Sequence, residues 1–316
     1  MLAVQLDHRR VEVKRVPRPR VPQGHALIRL LCGGICNTDL ELQRGYYGFS
    51  GIPGHEFAGV VVEADRRDLI GRRVVGEINL DCGCCEFCRR GLGRHCPKRT
   101  VLGIVKHPGA FREFLTLPER NLHVVPDAIP TEEAVFIEPL AAAAEILDQV
   151  SIPCSSPVAV LGDGKLGLLV AQVLKAHGYR VYQFGRHKEK LRIAAHAGIE
   201  TEVVNDRLPA AAYDWVIDAT GSPKGLAAAV GMTRPRGTII MKSTVHGLAG
   251  FDTAPIIVNE ITLVGSRCGR FEPAIELLKN HLINVADMIS EQLPLARAPE
   301  AFRTAAKSGV LKVLLS

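Results

Sequence analysis

VAVLGDGKLGLLVAQVLKAHGYRVYQFGRHK, residues 158–188, sets the architecture of the chain. Val158 to Leu161 is a short apolar run, and Gly162 to Gly167 carries three glycines at the spacing Gly-x-Gly-x-x-Gly. An apolar-periodic stretch then runs to about His177, and a second strand-like run, Arg180 to Phe184, follows it. The order predicts strand, tight turn, helix, strand. Glycines at these places permit the turn, the approach of backbone to a pyrophosphate, and close helix packing. Gly162, Gly164, Lys165, Leu166 and Gly167 are therefore candidate cofactor-binding residues.

The same texture continues on both sides. From about Glu132, alanine-rich helical stretches alternate with strand-like runs at Trp215 to Ala219, Thr238 to Met241 and Ile261 to Val264. Right-handed βαβ units of this kind predict a parallel sheet, an α/β fold class. Residues 1 to about 125 read differently: short runs bounded by Gly and Pro, at Val11 to Val16, Ala26 to Leu31, Phe57 to Val62 and Arg72 to Val75, predict a β-rich domain. One more helix, Pro273 to Asn280, and a short strand near Val310 to Leu315 close the sequence. At 316 residues the chain has room for two domains.

Composition narrows the function classes. The net charge is +6, with basic residues spread through the chain rather than gathered in a tail, so anionic ligands are favoured only mildly. The amino-terminal residues do not read as an export signal, and Asp163 and Lys165 interrupt the most apolar stretch, so neither a membrane span nor a membrane partner is expected. Five of the nine cysteines fall between Cys82 and Cys96. That clustering predicts metal thiolates in a reducing cytoplasm rather than disulfides.

The second strand of a fold that selects NAD ordinarily ends in Asp or Glu, which holds the ribose 2′-hydroxyl. Here the strand ends Gly185-Arg186-His187-Lys188. Without the acid there is less repulsion toward a 2′-phosphate, and Arg186 offers a bidentate partner. Gly185, Arg186 and Lys188 thus point to NADP(H), with NAD(H) the alternative.

Cys82, Cys85, Cys88 and Cys96 have the spacing Cys-x2-Cys-x2-Cys-x7-Cys. Four thiolates suit a closed tetrahedral zinc, which can hold a lobe with little core of its own but cannot act on a substrate. Cys84 reads as a bystander. The nearby arginines allow a nucleic-acid module as a rival reading, but no recognition helix or aromatic platform accompanies them. A second set of ligands is open rather than closed: Cys36 in GGICNTD, His55 and Glu56 in GHE, and Glu138 in FIEPLA. One thiolate, one imidazole and carboxylates form the ligand mixture of a catalytic zinc with a position left for substrate. Asp39 is placed to accept the second N–H of His55.

In order along the chain, Cys36-Asn37-Thr38-Asp39, Gly54-His55-Glu56, the four-cysteine lobe, Glu138-Pro139-Leu140 and GDGKLG resemble the zinc-containing medium-chain dehydrogenases/reductases, in the branch of sorbitol, threonine and glucose dehydrogenases. The resemblance implies a GroES-like catalytic domain over 1–138 and 265–316, with a structural zinc lobe at 82–96. It implies a doubly wound Rossmann domain over 139–264 and an active site in the cleft between the two domains. Carried over by position, Cys36, His55 and Glu138 are zinc ligands, and Glu56 is a ligand or a near neighbour. Thr38 passes on the substrate proton, with Asp39 and Glu56 beside it. Two zinc ions per chain and a homodimer or homotetramer follow from the same resemblance. The histidine that completes the proton relay in classical alcohol dehydrogenases is replaced here by Glu41.

The chemistry this implies is reversible oxidation of a secondary alcohol by hydride transfer to a nicotinamide. Lowering an alcohol pKa from about 16 to about 7 is worth about 12 kcal/mol, against about 1 kcal/mol for a hydrogen bond from Thr38, so the metal dominates. A carboxylate ligand makes the site harder and suits small-molecule polyols and sugars. Tyr46, Tyr47 and Phe49 are the candidate substrate-facing aromatics. Two alternatives stand beside this reading. One is a ketone or alkene reductase of the same fold, and the other is a non-catalytic protein that binds a dinucleotide or a nucleic acid.

Overall fold

The computed structural model describes residues 1–205, 207–244 and 252–316. The chain divides into two compact units: Met1–Glu138 with Ile289–Ser316, and Pro139–Met288.

In the second unit six parallel strands lie in the order Glu200–Val203, Val181–Gly185, Val158–Leu161, Tyr213–Asp218, Thr233–Met241, Thr262–Gly265. All four residues of Val158–Leu161 are buried, as an interior strand covered on both faces requires. The chain order along the sheet is third, second, first, fourth, fifth, sixth, so the direction of winding reverses beside the first strand. Leu161 pairs with Phe184 on one side and Asp218 on the other. The carboxyl ends of these three strands open at that switch point, where ligands bind in such sheets. Ala159, Leu161, Phe184, Val216 and Ile239 form part of the core behind it.

Two boundaries differ from the sequence reading. The fifth strand begins at Thr233 rather than Thr238, because the exposed Arg234 to Arg236, which contain a proline, mask its start. The return to the first unit falls at Ile289 rather than at residue 265. Residues 265–288 stay with the parallel sheet because they are bonded into it. The backbone N–H of Asn284 donates to Gln172 Oε1 at 2.8 Å, and Gln172 Nε2 donates to the Asn284 carbonyl at 3.2 Å.

The first unit is built on a seven-stranded sheet in the order Leu122–Val124, Arg73–Gly76, Glu56–Glu63, His25–Gly34, Lys312–Leu315, Ile289–Leu293, with Phe114–Pro118 also paired to His25–Gly34. A core of Val4, Ile35, Leu40, Phe111, Phe302 and Val313 lies in this unit. A small sheet of Asn79–Leu80, Thr100–Leu102 and Lys106–His107 flanks the cysteine lobe in sequence. In the larger sheet Gly34 pairs with Glu56 on one side and with Leu314 on the other. This register gathers three sequence-distant segments at one strand end, those of Cys36, of His55 and Glu56, and of Lys312. Among the described residues, no helix is long and apolar enough to cross a membrane.

Candidate active site and metal centres

Cys36 caps the helix Asn37–Gln43, and the helix's third residue, Asp39, reaches back to it. Asp39 Oδ2 accepts the Cys36 backbone N–H at 2.8 Å, and Oδ1 accepts the Gly54 backbone N–H at 3.1 Å. Asp39 is fully buried, so this carboxylate ties together the two loops that carry Cys36 and His55. Its Oδ1 stands 3.6 Å from His55 Nδ1, too far for the hydrogen bond that the sequence suggested.

Cys36, His55 and Glu56 each offer a ligand atom, and these atoms lie within 4.8 Å of one another. His55 and Glu56 are buried, and Cys36 is half-buried beside them. Among the described residues, His55 Nδ1 is buried with no hydrogen-bond partner. Burial opposes charge on this imidazole, but Asp39 and Cys36 outweigh it and hold the pKa well above the ordinary histidine value. A desolvated pocket of thiol, imidazole and carboxylate offers the donors of a divalent cation, and the donor set and spacing fit zinc. Thr38 is half-buried with Oγ1 3.8 Å from Cys36 Sγ. Glu138, a ligand by resemblance, lies in the first turn of the helix Ile137–Gln149 and acts electrostatically on Lys312, but it is not among the described residues whose ligand atoms gather within 4.8 Å.

Lys312 is a residue of this pocket that sequence reasoning missed. Its Nζ donates to Glu56 Oε2 across 256 residues of sequence, in an ion pair wholly inside the protein. Burial opposes the charge of Lys312, while Glu56, Cys36 and Glu138 together raise its pKa above the usual lysine value. Gly34 leaves the space for this pair: a Cβ there would sit 2.8 Å from Glu56 Oε2 and 3.2 Å from Lys312 Cδ. The available signal was a lysine inside the apolar run Leu311 to Leu315, where the strand Lys312–Leu315 is buried at every residue.

The four lobe cysteines converge on a second centre. Cys85 Sγ lies 3.4 Å from Cys88 Sγ and 3.8 Å from Cys96 Sγ, while Cys82 Sγ lies 3.6 Å from Cys96 Sγ and 3.9 Å from Cys88 Sγ. Zinc–sulfur bonds of about 2.3 Å in a tetrahedron put sulfurs about 3.8 Å apart, so the cluster fits the ion. The backbone N–H groups of Cys84 and Cys85 lower the Cys82 thiol to about 6, favouring the thiolate that a metal needs.

The cofactor motif has the expected local form, with Gly162 to Gly164 between the strand Val158–Leu161 and the helix Lys165–Ala176. A Cβ on Gly162 would fall 2.5 Å from the Ala219 carbonyl oxygen, and one on Gly167 would fall 2.3 Å from that of Gly162. A Cβ on Gly164 would meet nothing within 4 Å, so that glycine leaves open space at the amino end of the helix. Asp163 is the second residue missed. Its Oδ2 accepts the backbone N–H groups of Arg186 at 2.7 Å and His187 at 2.6 Å, and lies 3.0 Å from His187 Nδ1. A carboxylate thus does stand at the end of the second strand, supplied by the glycine loop across the gap above Gly185. Arg186 and Lys188 are exposed beside it. Tyr46 and Tyr47 stack at 3.9 Å in a short turn, with Tyr47 66% exposed.

The family model for the alcohol dehydrogenase GroES-like domain matches residues 22–127, and that for zinc-binding dehydrogenases matches residues 166–280. D-altritol 5-dehydrogenase of Agrobacterium fabrum is 31% identical over 315 residues, 94% of this chain and 93% of that protein. D-arabitol-phosphate dehydrogenase of Enterococcus avium is 29% identical over 94% of this chain and 91% of its own. A crystal structure of a zinc-binding dehydrogenase from Sinorhizobium meliloti 1021, bound to NADP, superposes with a TM-score of 0.90 at 27% identity, covering 99% of this chain and 98% of that one.

Proposed function

We propose, on the premise that the chain belongs to the zinc-binding alcohol dehydrogenase family with a GroES-like domain, that it interconverts a polyol or sugar-type secondary alcohol and its ketone with NADP(H). The observation that carries this reading is the buried convergence of Cys36, His55 and Glu56 within 4.8 Å. Polyol dehydrogenases among the relatives support the substrate class.

Bound zinc supplies the positive charge that acidifies the alcohol, and bound nicotinamide accepts or returns the hydride. Cys36, His55 and Glu56 would hold the metal, and Glu138 would add a further carboxylate charge through its effect on Lys312. Lys312 donates to Glu56 Oε2 and so holds that carboxylate in place. Asp39 keeps the Cys36 and Gly54 backbones in register and so fixes where the thiolate and imidazole point. Thr38 Oγ1 receives the substrate hydroxyl proton and passes it outward. In the parallel-sheet unit, Gly162, Gly164 and Gly167 with the backbone of Lys165 and Leu166 cradle the pyrophosphate. Arg186 and Lys188, at the turn after Gly185, contact the 2′-phosphate. Asp163 is already bonded to two backbone N–H groups of that turn, which blunts its repulsion of the phosphate. Cys82, Cys85, Cys88 and Cys96 hold a second, structural zinc. The chain acts as a homodimer or homotetramer, which light scattering tests.

The test is metal content combined with a substrate panel. The reading expects two zinc ions per chain and reduction of NADP, more readily than NAD, by polyols, polyol phosphates or simple secondary alcohols. Glu56→Gln should lower zinc content, and Glu138→Gln should lower turnover more than zinc content. Zinc-loaded protein inert toward every secondary alcohol and ketone on the panel would sink the reading.

A further inference from the structure

Cys84 is the fifth thiol of the lobe and takes no corner of its tetrahedron. It is exposed, whereas Cys96 is buried and Cys82, Cys85 and Cys88 are half-buried. Its Sγ lies 3.6 Å from Cys82 Sγ. Gly83, at φ +68, folds the backbone back between the two cysteines so that residues two apart turn their sulfurs toward one another.

We propose that Cys82 and Cys84 form an oxidation site through which a peroxide opens the structural metal centre, an inference that rests on the four-thiolate zinc reading of the lobe. The exposed Cys84 thiol loses its proton to solvent and attacks hydrogen peroxide, the O–O bond breaks, and a sulfenic acid and hydroxide form. The Cys82 thiolate then attacks the Cys84 sulfur, the S–S bond forms, and the S–O bond breaks with loss of a second hydroxide. In sum, two thiolates and one peroxide give one disulfide and two hydroxides. Peroxide takes up the two electrons that the sulfurs lose. Closing 3.6 Å to a disulfide bond of about 2.05 Å draws Cys82 away from its three partners. Cys85, Cys88 and Cys96 remain as an incomplete ligand set, so zinc leaves and the lobe loses its staple. A dithiol reductant with added zinc reverses the change.

The experiment uses zinc-loaded full-length protein, with its metal content measured before any treatment. Equimolar hydrogen peroxide is added, zinc release is followed with a colorimetric chelator, and the peptide containing residues 82–96 is then weighed by mass spectrometry. The expected result is zinc release with a peptide two hydrogens lighter, its link assigned to Cys82 and Cys84. Cys84→Ser, which alters neither metal centre, should release zinc at least about tenfold more slowly. Equal release from Cys84→Ser, or a link between Cys85 and Cys88 instead, overturns the proposal. If untreated Cys36→Ser protein, which lacks the open site, holds no zinc, the four-thiolate reading itself fails, and this metal measurement shows it before peroxide is added.

Discussion

Lys312 Nζ and Glu56 Oε2 form an ion pair in which each side chain is only 1% exposed. Removing one partner of such a pair strands a buried charge, which typically costs about 3–5 kcal/mol. Lys312→Met should therefore lower stability toward denaturant by about that amount, while Lys312→Arg should retain part of it. The folded pKa of Lys312 lies above its ordinary value. The lysine's contribution is therefore complete below the unfolded lysine pKa and is lost only as pH rises beyond the folded one. The gap between wild type and Lys312→Met should stay level from neutral to mildly alkaline pH. Equal stability of the two proteins would refute the role given to the pair.

Arg112 makes the opposite case, a buried charge whose Nε has no hydrogen-bond partner among the described residues. Burial alone pushes its pKa down to about 10. A depressed pKa on a cation means the folded state disfavours the charge; the penalty is complete below about 10 and fades as pH rises toward the unfolded value. Arg112→Met, which keeps most of the volume, should raise the thermal midpoint at neutral pH, by about 1–3 kcal/mol in stability. A lower midpoint would show that the guanidinium has a partner that matters.

How much of the fold and site was legible in the sequence depends on how local each feature is. The glycine loop, the cysteine lobe and the pairing of His55 with Glu56 are contiguous motifs, and their types and spacings state their chemistry directly. Lys312 was not legible, because it meets Glu56 only through a register in which one strand lies between two segments 256 residues apart. Asp163 was visible as a letter but not as a group at the end of the second strand. Only the absence of a side chain on Gly185 lets it reach there. The return point at Ile289 was hidden for the same kind of reason, since it is set by Gln172 and Asn284 bonding across 112 residues.

Thr38 is assigned the substrate proton. Thr38→Val removes the hydroxyl while keeping the shape, and should lower kcat by about 10²-fold or more at unchanged zinc content. Thr38→Ser should restore most of the rate. A valine variant with the wild-type pH profile and rate would move the proton path elsewhere.

Arg186 is assigned the 2′-phosphate. A charge-assisted hydrogen bond is worth about 1.5–3 kcal/mol, so Arg186→Ala should raise the KM for NADP by about tenfold or more while leaving that for NAD nearly unchanged. Asp163→Asn, which weakens the hold on the backbone of Arg186 and His187, should raise both. Parallel steady-state titrations of the two cofactors separate these outcomes, and an unaltered ratio in Arg186→Ala would remove the selectivity argument.

The most direct measurement is optical. Exchanging zinc for cobalt(II) gives a thiolate-ligated site a sulfur-to-metal absorption band, and a substrate oxygen entering the coordination sphere shifts the visible bands. Wild-type protein should take up two cobalt ions per chain. Cys36→Ser should take up one, with no spectral response to polyol and no turnover but unimpaired NADP binding. A Cys36→Ser protein that keeps both metals, or that still oxidises the polyol, would contradict this expectation.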